Sequence, residues 1–414
     1  MKRIACILMF ALLPFLTVSC GEVIPDDDDN GDNPYKPLSL STKQAGYVTA
    51  GNDFAFRFIG QVADQAAKNK EDAWFVSPMS LQLALGMLLN GAQGETADEI
   101  CGLLGYGKGE TADINEFCKL LLKQLPALDK KTKLTLANAI FYNQKLTLKT
   151  PFKNTVSDYY SAELTALDFT KGKAAAATIN DWCSRQTNGL IPSVIDNVEA
   201  QALAYLINAL YFKSEWREKF DKSRTEAETF TQEDGKTDKV KMMKLDGKQF
   251  NYRESDAYQA IWLPYGNGAY SMAVLLPKKG HTVQEISGRL AKEGLRSGSP
   301  VETDLWLPRF EMKYHILLNG ILQDMGMKRS FNPQTADFLA MSEKASYVDF
   351  VQQDAVIKVD EEGTEAAAVT VIGMMTTAIG PSGKVVFHAN RPFLYLITES
   401  STGAVLFAGK YAGK

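Results

Sequence analysis

Apolar positions recur along the chain with two periods. Phe54, Phe58, Val62 and Ala66 fall at helical spacing, so Gly51 to Lys68 predicts an amphipathic helix with Asp53 placed to cap it. Trp74-Phe75-Val76 predicts a short strand. Ser77-Pro78 then opens a helix, serine as cap and proline in the first turn. Ser80 to Asn90 is apolar nearly all round, which predicts burial, and Gly91-Ala92-Gln93-Gly94 ends it before a helix over Glu95 to Leu104. Leu134 to Phe141 predicts a strand; Pro151 to Tyr160 and Ala174 to Ser184 predict helices. Leu203 to Phe212 is apolar on both faces, the pattern of a central strand. Short strands follow from Phe230 to Pro277, with a hairpin signal at Tyr265-Gly266-Asn267-Gly268. Asp304 to Glu311 predicts a strand, and His315 to Met325 a helix stopped by Gly326. Val385 to Phe387, Phe393 to Thr398 and Val405 to Gly409 predict three terminal strands, the last two joined by the polar turn Glu399 to Gly403. Helices crowd the first half and strands the second, and no repeat or linker interrupts residues 40–414. The pattern is that of one large α+β domain.

One stretch fits neither period. Val359 to Ala378 runs from acidic (Asp360, Glu361, Glu362) through Gly363 to three alanines, Ala366, Ala367 and Ala368. It continues through Val369, Thr370, Val371 and Ile372 and meets no proline before Pro381. Such a composition suits a segment that is exposed yet able to become a strand.

Composition narrows the class. The chain has 414 residues, 45% hydrophobic and 23% charged, with net charge −4; clustered Lys and Arg, the footprint of a nucleic-acid partner, are absent. Lys2 and Arg3 precede an apolar run, Ile4 to Val18, which ends on Ser19-Cys20-Gly21, so residues 1–19 are expected to be a secretory signal. The cut resembles a bacterial lipoprotein box, with Leu16 one place earlier than usual, and Cys20 is expected to carry lipid. The expected location is the cell envelope, on the outer membrane with surface exposure and held by an N-terminal lipid, the alternative being a secreted protein in which Cys20 is incidental. Glu22 to Pro37, with Asp26-Asp27-Asp28-Asp29, is expected to be a disordered acidic tether, and the folded domain to span 45–414. The aspartates lack the spaced ligands and glycine turn of a calcium loop. Cys101, Cys118 and Cys183 remain for the fold, an odd number without CxxC spacing, which argues against zinc or a disulfide framework. Buried free thiols are expected, with a Cys101–Cys118 pair as the alternative.

Catalytic constellations are missing. His281, His315 and His388 stand in no HExxH pattern and beside no nucleophile motif, and there is no GxSxG, phosphate loop or dinucleotide fingerprint. Glu361 and Glu362 are adjacent, so on a strand they face opposite sides and make a poor catalytic pair. The acidic residues are expected to be solvated surface charges. No enzyme activity, metal or cofactor is expected.

Several segments, taken in order, resemble the serpins. They are Ala73 to Ser80, Gly91 to Thr96, Leu206 to Trp216, Leu263-Pro264-Tyr265, Leu275-Leu276-Pro277, Leu307 to Phe310, Ala336-Asp337-Phe338, Arg391 to Leu394 and Leu406 to Lys410. The resemblance covers roughly residues 45 to 412. It implies three β-sheets, about nine helices and an exposed reactive-centre loop. It also implies a monomeric suicide inhibitor, whose cleaved loop enters the central sheet while the protease is still attached as an acyl-enzyme. Glu362, Gly363, Thr364, Glu365, Ala366, Ala367 and Ala368 match the hinge of that loop. One alternating set (Thr364, Ala366, Ala368, Thr370, Ile372, Met374) is uncharged and can face inward; the other carries one charge, Glu365. Entry of about 14 residues would carry a protease roughly 45 Å. Ser77, Ser80 and Asn208 match the family's polar cluster where the sheet opens, with Gln353 where a histidine is usual; Ser214 replaces a common glycine. Family spacing places the cleaved bond at Thr377–Ala378, with Met375–Thr376 and Met374 as rivals. No Arg or Lys lies between Lys358 and Lys384, so the implied targets are elastase-like or subtilisin-like serine proteases, and some cysteine proteases, rather than trypsin-like ones. The alternatives are a non-inhibitory serpin acting as a binding or scaffold protein at the envelope, and a glycan-binding lipoprotein or hydrolase of unrelated fold.

Overall fold

The computed structural model describes residues 33–364 and 384–413. Its helices are α1 (Thr42–Asn69), α2 (Pro78–Leu89), α3 (Gly94–Leu104), α4 (Thr111–Gln124), α5 (Thr150–Tyr160), α6 (Gly172–Gln186), α7 (Val283–Glu293) and α8 (Asn319–Asp324). The first eight strands are β1 (Trp74–Val76), β2 (Lys133–Asn143), β3 (Glu163–Leu167), β4 (Ala204–Glu215), β5 (Glu226–Thr231), β6 (Thr237–Glu254), β7 (Tyr258–Tyr265) and β8 (Tyr270–Pro277). The others are β9 (Ser299–Pro308), β10 (Phe310–Leu317), β11 (Gln352–Val359), β12 (Gly363–Thr364), β13 (Val385–His388), β14 (Phe393–Glu399) and β15 (Val405–Tyr411).

The described residues form two hydrogen-bonded sheets. The smaller has the order β10-β11-β12-β4-β2-β3; the larger runs β1-β15-β14-β8-β7-β6-β9-β13, with β5 on β6. The three expected sheets appear as two because β6 belongs to both halves of the larger one. Its pairing with β9 breaks register between Leu245 and Lys248, where Gly247 adopts a φ of 63° that favours glycine. Before the break β6 pairs with β5, and after it with β7.

Helix α2 packs on β4 of the smaller sheet and on β15 of the larger. It is apolar all round because both sides are covered: Leu81, Leu83, Leu85, Met87 and Leu89 are all buried. A separate cluster forms where α6 lays Ile179 and Trp182 beside Phe141 of β2, the rings edge to face at 5.9 Å. The cysteines Cys101, Cys118 and Cys183 are buried and free, and burial pushes the Cys118 and Cys183 thiols up to about 12.

Three expectations need correction. Helix α1 starts at Thr42, not Gly51, and Asp53 lies within it. Its cap is Ser41, whose Oγ accepts from Gln44 N–H at 3.3 Å while Gln44 Oε1 accepts from Ser41 N–H at 2.9 Å. The folded part also begins before residue 45: of the stretch expected to be a tether, Asn33 to Pro37 are described, with Pro34 to Pro37 exposed, and the residues before Asn33 lie outside the described ones. Leu38 is buried, and Asn33 Nδ2 donates to Asp129 Oδ1 at 2.7 Å. Finally, His315 to Leu317 belongs to β10, and only Asn319 to Asp324 is helical. Phe310, Met312 and Ile316 are buried at even spacing, a strand period that the apolar residues beyond Leu317 obscure in the sequence.

Replacing the Ser41 cap by alanine is expected to destabilise the fold by about 1 kcal/mol. This should lower the urea midpoint without changing activity.

Candidate functional site

The smaller sheet contains an unfinished row. β2 pairs with β4 from Lys133–Lys213 to Tyr142–Ala204, and β10 pairs with β11 along its full length. Among the described residues only β12 stands between β4 and β11, its Thr364 pairing with Ser214 on one side and Val359 on the other. Among the described residues, nothing pairs with the facing edges of β4 and β11 below that point. A cavity of about 600 Å³ fills the gap, lined by Leu81, Leu85 and Leu88 of α2, by residues 202–209, and by Gln353 and Phe338. A second, narrow cavity beside Leu210, Phe212 and Ile357 reaches Thr364. Two strand edges therefore flank a slot floored by apolar side chains.

The entrance is pinned at a turn. Asp360 and Gly363 exchange backbone hydrogen bonds, Asp360 N–H donating at 2.9 Å and Gly363 N–H at 3.3 Å. Gly363 is required by close approach: a Cβ there would run into the Ser214 carbonyl and lie 2.7 Å from Glu215 Cα. Three donors hold the turn from outside. Trp216 N–H donates to the Glu362 carbonyl at 2.8 Å, Trp216 Nε1 to the Asp360 carbonyl at 2.8 Å, and Phe220 N–H to the Glu361 carbonyl at 3.0 Å. The Trp216 indole stacks on Tyr265 at 4.4 Å, and the Tyr265 hydroxyl is hydrogen-bonded to Thr364 Oγ1 at 2.6 Å. Burial pushes the Tyr265 phenol far above its ordinary value, so it stays neutral at any working pH.

The acidic run is not the solvated surface expected. Asp360 is 7% exposed and Glu361 2%. Glu361 Oε1 accepts from Thr225 Oγ1 at 2.8 Å, and its Oε2 stands 3.7 Å from Arg309 Nη1. Glu362 pairs with Lys222 at 2.9 Å and Lys219 at 3.1 Å. Those ammonium groups, Lys222 foremost, hold its carboxyl below the usual carboxylate value. The two glutamates thus take different partners, as adjacent residues must. Trp216, Tyr265, Lys219, Lys222, Arg309 and Thr225 were not anticipated here. The spacing Trp216…Lys219…Lys222, an aromatic followed by cations every third residue, was the one signal available in the sequence.

Ser77, Ser80 and Gln353 come together; Asn208 does not join them. Ser77 N–H donates to Gln353 Oε1 at 2.7 Å, and Gln353 Nε2 donates to the Ser77 carbonyl at 2.9 Å. The amide of β11 is thereby forked onto the main chain at the start of α2. Ser77 Oγ donates to the Leu406 carbonyl at 2.7 Å and accepts from Ser80 N–H at 3.1 Å as the helix cap. Asn208 turns the other way, donating to Asn138 Oδ1 at 2.7 Å across the β4–β2 pair. Its own Oδ1 is buried without a hydrogen-bond partner among the described residues and lines the slot. Ser214, the departure from glycine, is buried and hydrogen-bonded to Thr132 Oγ1 at 2.6 Å. Of the hinge, Glu362, Gly363 and Thr364 are described. Glu365, Ala366, Ala367, Ala368, the bond candidates Met374, Met375, Thr376, Thr377 and Ala378, and the lipidation candidate Cys20 lie outside the described residues.

A sheet interrupted where an acidic–glycine turn enters it defines the class, and the comparisons agree. The family described as serpin (serine protease inhibitor) matches residues 49–413, and the chain belongs to it. An uncharacterised serpin-like protein of Thermococcus kodakarensis is 32% identical over 88% of this chain and 84% of its own. Antithrombin-III of Homo sapiens is 30% identical over 93% and 85%. The crystal structure of a thermophilic serpin, tengpin, in the native state superposes with TM-score 0.78 at 28% identity, covering 92% of this chain and 97% of that one. Serpins are inhibitors of proteases rather than catalysts.

Glu362→Gln is expected to lower stability by about 1 kcal/mol at pH 7. Because the folded-state pKa is depressed, the contribution is present above the unfolded value, about 4.3, and is lost as pH falls through the folded one. Denaturation curves of the two proteins should therefore converge as the pH is taken below the ordinary carboxylate range.

Proposed function

We propose that this chain traps elastase-like or subtilisin-like serine proteases, and some cysteine proteases, as acyl-enzymes by moving its cleaved loop into the slot between β4 and β11. The observation that carries the reading is the pair of unpaired strand edges beginning at Thr364. The protease nucleophile attacks the carbonyl of Thr377, forms an ester or thioester, and releases Ala378 as the new N-terminus. Loop entry then removes the acyl bond from its original geometry before water attacks. Each new ladder bond contributes ~1 kcal/mol, so an inserted strand gains on the order of 10 kcal/mol before packing. The native state is accordingly metastable, kept by a barrier.

Residue roles follow from position. Glu362 to Ala368 form the hinge: Glu362 anchors it, Gly363 permits the close approach, and Thr364 already occupies the first inward place. Ala366 and Ala368 follow with side chains small enough to pass. Ser77, Ser80 and Gln353 hold the slot at its middle, and Asn208 contributes from the facing strand. Cys20 carries the lipid that ties the inhibitor to the outer membrane, its folded part reachable by proteases outside the cell.

Mixing the protein with pancreatic elastase should give a covalent band near the summed mass on a denaturing gel; complete loop cleavage with undiminished protease activity would overturn the proposal. Mass spectrometry of the released C-terminal peptide should begin it at Ala378. Thr364→Arg puts a cation into a buried place beside Tyr265. It is expected to turn inhibitor into substrate, raising the stoichiometry of inhibition many-fold with cleavage intact. Gln353 cannot titrate, so Gln353→His should introduce a step in inhibition rate between pH 5 and 8 that the unsubstituted chain lacks. His315, exposed and 2.8 Å from Asp354 Oδ1, is the control, and the new step should persist in a His315→Gln background.

A further inference from the structure

We infer that Asp129 positions the hinge turn: its buried carboxylate holds Ser214 and Glu215, the two β4 residues against which Thr364 and Gly363 pair. The consequence for trapping rests on the insertion reading above; the placement of the turn does not.

Asp129 lies in the loop before β2 and is 1% exposed. Its Oδ1 accepts from Asn33 Nδ2 at 2.7 Å and from Lys131 N–H at 2.9 Å. Its Oδ2 accepts from Thr132 Oγ1 at 2.7 Å and from Asn267 N–H at 3.4 Å. A carboxylate buried without such donors is costly, so these groups are held together as a set. Two routes lead from it to β4. The first is a relay of hydroxyls. Thr132 has a single hydroxyl hydrogen, and Asp129 takes it. Ser214 Oγ, 2.6 Å from Thr132 Oγ1, must therefore be the donor of that pair. Ser214, the departure from glycine, is thus the far end of a relay whose direction the carboxylate sets. The second route is the turn between β7 and β8. Asn267 seats it, with its N–H on Asp129 and its Nδ2 on the Leu128 carbonyl at 2.8 Å. Gly266 N–H then donates to the Glu215 carbonyl at 2.9 Å. Tyr265, the residue before it, is the one hydrogen-bonded to Thr364.

The routes end on adjacent residues. Ser214 pairs with Thr364 and Glu215 with Gly363, and both pairs stand in the intact chain. A strand adds to a sheet more readily from rungs already in place, because part of the ordering entropy has been lost beforehand. Loosened rungs delay entry without touching the attack on the loop, so water reaches more of the acyl-enzyme before it is trapped. Asp129 therefore acts at a distance, through Thr132 and the 265–268 turn, on the partition between inhibitor and substrate.

The test compares the unsubstituted chain with Asp129→Ala, Thr132→Val, Thr132→Ser, Ser214→Ala and the Thr132→Val/Ser214→Ala double variant. Ser41→Ala serves as a control that is destabilised elsewhere. Amide hydrogen exchange is read by mass spectrometry over 210–216 and 359–364 without protease; stoichiometry of inhibition and rate of attack are read with pancreatic elastase. Thr132→Val and Ser214→Ala should each speed exchange in both segments about 5-fold, the factor for one hydrogen bond, and raise the stoichiometry with the rate of attack unchanged. The double variant should be no worse than either single, since all three break one contact. Thr132→Ser should behave as the unsubstituted chain. Asp129→Ala, which cuts both routes, should have the largest effect; should it fail to fold, the Thr132 and Ser214 variants carry the test. Ser41→Ala should alter neither segment nor the stoichiometry. Unchanged exchange over 359–364 in Thr132→Val, a loss that Thr132→Ser does not restore, summed effects in the double variant, or equal acceleration along the whole chain would overturn the positioning role. A change confined to the rate of attack would overturn its link to trapping. If the unsubstituted chain forms no covalent band, the trapping reading falls instead, and the exchange data still decide the role of Asp129.

Discussion

Backbone hydrogen bonding governs this structure. A strand inside a sheet satisfies donors and acceptors on two sides, and burial without partners is costly. β4 and β11 are each satisfied on one side, by β2 and β10, and below Thr364 each lacks a partner on the other among the described residues. Much else serves that imbalance. α2 supplies an apolar floor, the Trp216–Phe220 segment holds the chain at the mouth, and the Gln353 amide ties β11 to the α2 cap. On the insertion reading proposed above, the unmet pairing is a store of free energy, and those contacts govern when it is released.

The contacts differ in kind, and so in what disturbs them. Glu362 with Lys219 and Lys222 is an ionic clasp near solvent, sensitive to salt and acid. Trp216, Tyr265 and Thr364 form an uncharged column of stacking and hydrogen bonds, indifferent to both. Gln353 addresses only the main chain of Ser77, so no proton is exchanged when it lets go.

Elements set by their own residues were legible in the sequence. The Ser77-Pro78 helix start, the Trp74–Val76 strand and the three terminal strands fall where local pattern places them. Partners distant in sequence were not. Asp360 and Glu361 look like surface charge because Thr225 and Arg309, which receive Glu361, lie far along the chain. Asn208 belongs by motif with Ser77 and Gln353, yet the register of β2 gives its donor to Asn138. β3 left little signal, being short and half exposed, and the early boundary of α1 depends on a cap at Ser41 placed before the apolar period is established; α4, by contrast, carries Ile114, Phe117, Cys118 and Leu121 at helical spacing and was legible. The slot itself is a missing neighbour, which no single segment can announce.

The Trp216 column has an optical consequence. Its indole is buried, donates to the Asp360 carbonyl and lies nearly parallel to Tyr265 at 13°, one hydrogen bond away from Thr364. Among the chain's five tryptophans it is the one bonded directly to the turn that carries the hinge. A change in that turn alters the polarity and hydrogen bonding felt by this chromophore, so its emission gives the protein a built-in lamp at the mouth of the slot.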